Sequence, residues 1–399
     1  MEFLGYERPD GSAGIRNHVA VISANRCSNE MAATIADAVP GTVAVITTHP
    51  CARLKDDNEK AFRFFTGAGT NPNVYAAIVI GVGCENPSPS SIGKEIAKSK
   101  RPVEVLTVME SDGFQDFIDR GLTIARRMAA EASEMQRKPF PLSYLTIGVK
   151  CGGSSAVSGL AGNLATGKVF DRLVAEGGTA IFSETTEVIG ADHLLAKRAV
   201  NEEVARKFRE MVDRHEAMIE ATGEDIRGTQ PTRGNIAGGL TTIEEKSLGA
   251  LAKTGTTPLQ GALEHGEKPG GKGLYFMDGS AQTSELISGE MASGALIHIY
   301  STGGGITSSF RCTAGWGGEI PIIPQISVVS RQSTPRDSQE KDFFDIYADT
   351  IIEGTESVDE VADHFFDEVI AVASGKLTRR EMRKGYREPI VLYTLGPIL

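Results

Sequence analysis

Leu145-Thr146-Ile147-Gly148-Val149-Lys150-Cys151-Gly152-Gly153-Ser154-Ser155 is the stretch that decides the fold of this chain. A short apolar run ends in a glycine-rich turn, and a helical pattern opens near Ala156. A strand that feeds a helix through such a turn is the repeating unit of a parallel sheet. The same grammar recurs at Ala76-Ala77-Ile78-Val79-Ile80-Gly81-Val82-Gly83-Cys84-Glu85. Further apolar runs of strand length stand at 19–23, 43–47, 103–108, 179–182, 274–277 and 295–300. Helical spacing fills the gaps: 114–135 repeats apolar residues every three to four positions, and 204–219 is charged with one apolar stripe. Ser357 and Glu360 form a capping box ahead of an apolar run at 358–372, which Gly375 closes. The reading is α/β, with two Rossmann-like, mostly parallel sheet domains and flanking helices. A length of 399 residues exceeds one ordinary domain. Residues 136–143, with Pro139 and Pro141, are the expected linker, dividing 1–138 from 139–399. The polar stretches 223–239 and 330–341 read as long loops.

The net charge of −11 argues against a nucleic-acid partner or an anionic membrane surface, since both require a basic field. The first 14 residues hold no basic flank with an apolar run behind it, and nothing approaches the ~20 apolar residues of a membrane span. Five cysteines without regular spacing do not form a disulfide framework. The expected location is the cytoplasm.

Four of those cysteines lie just past a strand end: Cys27, Cys51, Cys84 and Cys151. Ligands of open α/β sheets bind outside the carboxyl ends of the strands, so these thiols are positioned to share one metal or cluster site. One such cysteine alone would read as core filler. Cys312 follows a glycine-rich segment and is expected outside the group. The turn at 81–83 has two of the three glycines of a dinucleotide fingerprint, and no GxxxxGK[ST] loop occurs, so neither nicotinamide nor ATP is expected. Backbone amides around Gly152, Gly153 and Ser154 suit an anion. Glu184 and Glu187, three apart beyond the 179–182 run, suit metal binding or proton transfer, with helix capping as their bland reading. His193 is a further base or ligand candidate. The loop Gln230-Pro231-Thr232-Arg233-Gly234-Asn235 leads to Thr241-Thr242-Ile243-Glu244-Glu245-Lys246, where Arg233 and Lys246 add positive charge.

Gly5-Tyr6-Glu7-Arg8-Pro9-Asp10-Gly11, Gly14-Ile15-Arg16-Asn17, Lys150-Cys151-Gly152-Gly153-Ser154, Gly234-Asn235 through Ser247 and Gly385-Tyr386-Arg387-Glu388 resemble, in order, the altronate/galactarate dehydratase family. The likeness spans the chain, although Thr232-Arg233 and Ser155 depart from the family pattern. It implies a lyase that dehydrates a sugar acid by β-elimination next to the carboxylate. Its alternatives are release of sulfite from sulfolactate, as the large subunit of a sulfo-lyase, and a non-catalytic sugar-acid-binding protein. The resemblance also implies iron, as Fe2+ or an iron–sulfur cluster, on Cys51, Cys84 and Cys151 with Cys27 as a fourth candidate. Glu184, Glu187, His193 and Lys246 are then the catalytic candidates; Gly152, Gly153, Ser154, Arg233 and Asn235 would bind the small anionic hydroxy acid. A separate small subunit with a SAF domain and a homo-oligomer are the expected assemblies.

Overall fold

The computed structural model describes residues 1–304, 320–330, 344–382 and 389–391. Cys312, the motif at 385–388 and residues 331–341 lie outside them. In chain order the strands are β1 (Glu2–Glu7), β2 (Ala13–Gly14), β3 (His18–Ser23), β4 (Thr42–Val45), β5 (Val74–Gly81), β6 (Val103–Thr107), β7 (Lys138–Pro141), β8 (Thr146–Gly153), β9 (Thr179–Ser183), β10 (Leu259–Leu263), β11 (Gly273–Met277), β12 (Ile297–Thr302), β13 (Gln325–Val329) and β14 (Ile346–Tyr347). They form a four-stranded sheet of order β4-β3-β5-β6 and a seven-stranded sheet of order β10-β11-β9-β8-β12-β13-β14. Every pairing in both sheets is parallel. The α/β architecture with flanking helices is therefore the one expected.

Parallel strands must be covered on both faces, and alternation along β3 shows how. Val19 and Val21 share a core with Ile35, Phe117 and Ala125, from the helices Asn29–Asp37 and Phe114–Ser133. Ala20 and Ile22 share another with Phe64, Phe65 and Ile92, from Lys55–Thr70 and Pro89–Ala97. Ile287 and Met291 of the helix Thr283–Ala292 join this second core, so apolar packing also ties the two parallel sheets together. The proline-bearing segment expected as a linker contains a strand: β7 pairs antiparallel with β1, and β1 with β2. Phe3 of β1 reaches the core of the larger sheet, and Phe140 of β7 packs against it. Among the described residues no helix is long and apolar enough to cross a membrane.

Each parallel sheet has a topological switch. From β8 the chain passes to β9, then to the edge strand β10, returns to fill the gap with β11, and crosses to β12 on the other side of β8. In the smaller sheet β3 is flanked by β4 and β5. The neighbouring strand ends diverge at such points and leave a crevice at the carboxyl edge.

Candidate functional site

The carboxyl edge of the larger sheet, where a crevice is expected, carries a cluster of buried charge. Lys150 and Cys151 end β8, Ser183 ends β9 and leads to Glu184, and Tyr300 lies near the end of β12. Glu184 is 3 % exposed and holds a φ of 81°, a left-handed backbone uncommon for a residue with a Cβ. Its carboxylate faces the Lys150 ammonium at 3.4 Å, and its Oε2 makes no hydrogen bond. One 3-10 turn later, Glu187 is fully buried and satisfied at both oxygens. Ser154 Oγ donates to Oε1 at 3.0 Å, and the buried Lys253 ammonium binds Oε2. Cys151 Sγ lies 2.9 Å from Ser154 Oγ, completing a row of buried polar groups.

The glycine-rich loop packs on the same strand end. Asn235 Nδ2 donates to Ser154 O at 2.9 Å, and Ala156 N donates to Gly238 O at 3.1 Å. The helix Ile243–Leu251, capped by Thr242, carries the buried Lys246. Its ammonium donates to the neutral Gln230 amide at 3.0 Å and lies close enough to act by charge on both Glu184 and Glu187. Gly152 is required at the tip of β8, because a methyl there would sit within the Tyr300 ring. Tyr300 OH donates to Gly152 O at 3.2 Å.

Electrostatics separate the two glutamates. Burial, followed by the negative charge of Glu187, pushes the Glu184 carboxyl above its usual range despite the nearby lysines. Burial would raise Glu187 too, but Lys253 and Lys246 outweigh it and hold that group below the usual range. Burial works against the Lys150 ammonium, yet Glu184 beside it prevails and the net shift is upward. Burial pushes the Cys151 thiol up to about 11, aided by Glu187, and the Tyr300 phenol up to about 12. Cys151 and Tyr300 thus stay protonated at neutral pH.

The other three thiols gather at the carboxyl edge of the smaller sheet. Cys27 Sγ and Cys51 Sγ are 4.0 Å apart, and Asn25 Nδ2 approaches Cys51 Sγ at 3.8 Å. Burial, then the neighbouring Cys27 and Cys84, push Cys51 up to about 11. Thiols that oppose one another's ionisation suit a soft cation that would neutralise them, so the donor chemistry fits iron. Among the described residues, however, no three His, Cys, Asp or Glu side chains stand in the arrangement of a completed metal site.

Glu184, Glu187, Lys246, Cys151, Ser154, Asn235 and Gly152 therefore come together, with Gly153 half-buried at the same tip. His193 and Arg233 do not join them; both are exposed, on the short helices Asp192–Ala196 and Arg233–Ala237. Cys151 is hydrogen-bonded to a serine instead of a thiol. Residue patterns miss Lys253, Gln230 and the roles of Lys150 and Tyr300. A lysine closing an apolar run is a signal for Lys150, whereas Lys253 reads as an ordinary basic residue after a helix.

Two family descriptions match this chain. "D-galactarate/Altronate dehydratase, C-terminal" covers residues 142–397, and "D-galactarate dehydratase/Altronate hydrolase, second domain" covers residues 5–133. The chain is 37% identical to the (2R)-sulfolactate sulfo-lyase subunit beta of Chromohalobacter salexigens, over 97% of its own length and 96% of that protein's. It is 30% identical to the galactarate dehydratase (L-threo-forming) of Escherichia coli, over 99% and 77% of the two lengths. Against the altronate dehydratase of Bacillus subtilis the identity is 29%, over 95% and 75%.

Proposed function

Because this chain belongs to the D-galactarate/altronate dehydratase family, we propose that the crevice beyond β8 is the active site of a lyase that removes a group β to the carboxylate of a small hydroxy acid. The observation that carries this reading is the buried pair Glu184 and Glu187, pushed in opposite directions among three lysines. Two carboxyls whose environments separate their proton affinities divide the acid–base work. Glu184, held above the usual range, is the group that takes the α-proton and returns it. Glu187 stays ionised, anchors Lys253 and keeps Ser154 oriented.

Elimination next to a carboxylate builds negative charge on that group as the α-proton leaves, so fixed cations lower the barrier. Lys246, bound to a neutral amide, offers its charge to the substrate carboxylate, and Lys150 gains an unopposed charge whenever Glu184 is protonated. Tyr300, protonated and buried, spends its proton on Gly152 O and so holds the tip of β8 in place beside these groups. Arg233 and His193, both exposed, receive no role here. Cys27, Cys51 and Cys84 would hold the iron that the family likeness implies, and bound iron there would supply a Lewis acid.

In the first reading the leaving group is water and the substrate a sugar acid. A second reading, release of sulfite from sulfolactate, is favoured by the match to the sulfo-lyase subunit, at 37% identity over nearly the full length of both chains. That relative is one subunit of its enzyme by name, and we extend to this chain a separate small partner subunit. The test is incubation of the chain, alone and with a co-expressed small subunit, under argon with and without Fe2+, with hexonates, aldarates and sulfolactate, followed by proton NMR and a sulfite assay. A 2-oxo-3-deoxy acid supports the first reading and sulfite the second. Tight binding of an acid with no product would contradict both and indicate a binding protein.

A further inference from the structure

Beneath these groups lies a buried, hydrogen-bonded pair that the proposed chemistry does not use. Glu290, on the helix Thr283–Ala292, and His298, on β12, are both fully buried, with Nδ1 and Oε2 2.5 Å apart. The other carboxylate oxygen accepts a hydrogen bond from Ser183 Oγ at 3.2 Å. Gly148 of β8 lies directly against this carboxylate, and a methyl on Gly148 would occupy its place. One side chain thus touches three adjacent strands, β9, β8 and β12. In each strand the touched residue lies one or two positions before a residue of the charged cluster. Ser183 is followed by Glu184. Gly148 lies two before Lys150, and His298 two before Tyr300, so each shares a strand face with its crevice residue.

Burying a carboxylate and an imidazole in a core costs stability unless they are bonded to each other and to further partners. Apolar side chains of similar size would fill the space with less risk, so the placement calls for an explanation. His298 Nε2 finds no hydrogen-bond partner among the described residues, so the bond to Glu290 is what orients the ring. We propose that Glu290 and His298 are positioning residues, a brace that sets the register of Glu184, Lys150 and Tyr300 relative to one another. The inference rests on the lyase reading for its kinetic consequence but not for its structural one.

Groups that orient catalytic residues from behind are worth roughly 10–100-fold in activity. Three variants separate bracing from simple core filling. Glu290→Ala removes the brace, Glu290→Gln keeps its shape and a hydrogen-bonding oxygen, and Gly148→Ala displaces it without deleting a functional group. Glu290→Ala and Gly148→Ala are expected to lower kcat by roughly 10–100-fold, with KM changed less than about twofold because Lys246 is untouched. Glu290→Gln should recover most of that loss. Crystal structures of the wild-type and Glu290→Ala chains provide a readout independent of turnover. The Glu184 carboxylate is expected to move by more than about 0.5 Å, the tolerance of a productive site. An unmoved Glu184 would overturn the brace even if the wild-type chain turned over no acid tested. So would a lowered melting temperature with unchanged kcat per folded chain. An inactive wild-type chain with a displaced Glu184 in the variant would instead retain the brace and reject the lyase reading.

Discussion

Glu187 shows how much of this site depends on single contacts. Its two oxygens are held by Ser154 and Lys253, both side chains of the Glu187–Lys253 pair are fully shielded from solvent, and Lys253 lies 66 positions further along the chain. Removing one partner of a buried ion pair leaves an uncompensated charge and typically costs about 3–5 kcal/mol. Lys253→Met should therefore lose about that much stability in urea unfolding at pH 7, with an unchanged m value. The pH dependence has a definite sign. Glu187 is held below the ordinary carboxylate value of 4.5 in the folded chain, so its contribution is present above that value and is lost as pH falls through the folded one. The gap between wild type and variant should accordingly shrink below about pH 4.5. A constant gap from pH 7 to 3 would show that Glu187 is not the group Lys253 stabilises. The same contacts explain what residue patterns can convey. The three-residue spacing of Glu184 and Glu187 after an apolar run is legible, but the burial that raises Glu184 and the lysines that hold Glu187 down arrive only through the fold. His193 sits near them in sequence and is carried to the surface by a helix five residues long.

At the scale of elements, the eight apolar runs all correspond to strands of the two parallel sheets, because buried parallel strands must be apolar along their whole length. β13, buried and parallel like them, is missed, and the other strands without a clear signal are short, irregular or antiparallel. β1 and β7 pair antiparallel and leave much of their length exposed, Leu4 and two prolines included, and β2 and β14 are two residues long. β10 includes Gln260 and Gly261 at a register shift, which breaks its pattern. The capping box at Ser357 and the helix opened by Ser155 are local, and both are present. The tip of β8 illustrates a constraint visible only in three dimensions. Gly152 lies under the Tyr300 ring, so Gly152→Ala must push the ring or the strand end aside. Its expected effect is a loss of turnover of roughly 100-fold, the scale of a 1 Å misplacement, with only a modest fall in melting temperature. Paired kinetics and calorimetry measure both. Unchanged turnover would remove Tyr300 and the β8 tip from the chemistry.

Across the whole molecule, the strand-end cysteines reveal both the reach and the limit of pattern reading. Three follow strands and Cys151 lies near the end of β8, a placement that is legible, but which sheet each strand enters is not. Cys27, Cys51 and Cys84 belong to the smaller sheet, whereas Cys151 belongs to the larger one and bonds to Ser154. The two switch points concentrate different chemistry: thiols at one, carboxylates and ammoniums at the other. In the proposed mechanism the second of these performs the elimination through Glu184. Its most direct test compares wild-type and Glu184→Gln chains by proton NMR in D2O, with the acid that the wild type converts. The account predicts that the variant binds the acid with similar affinity and loses turnover by about 100- to 10,000-fold, the range for a positioned acid–base group. It also predicts no deuterium exchange at the α-carbon. A variant that eliminates or exchanges at the wild-type rate would contradict it.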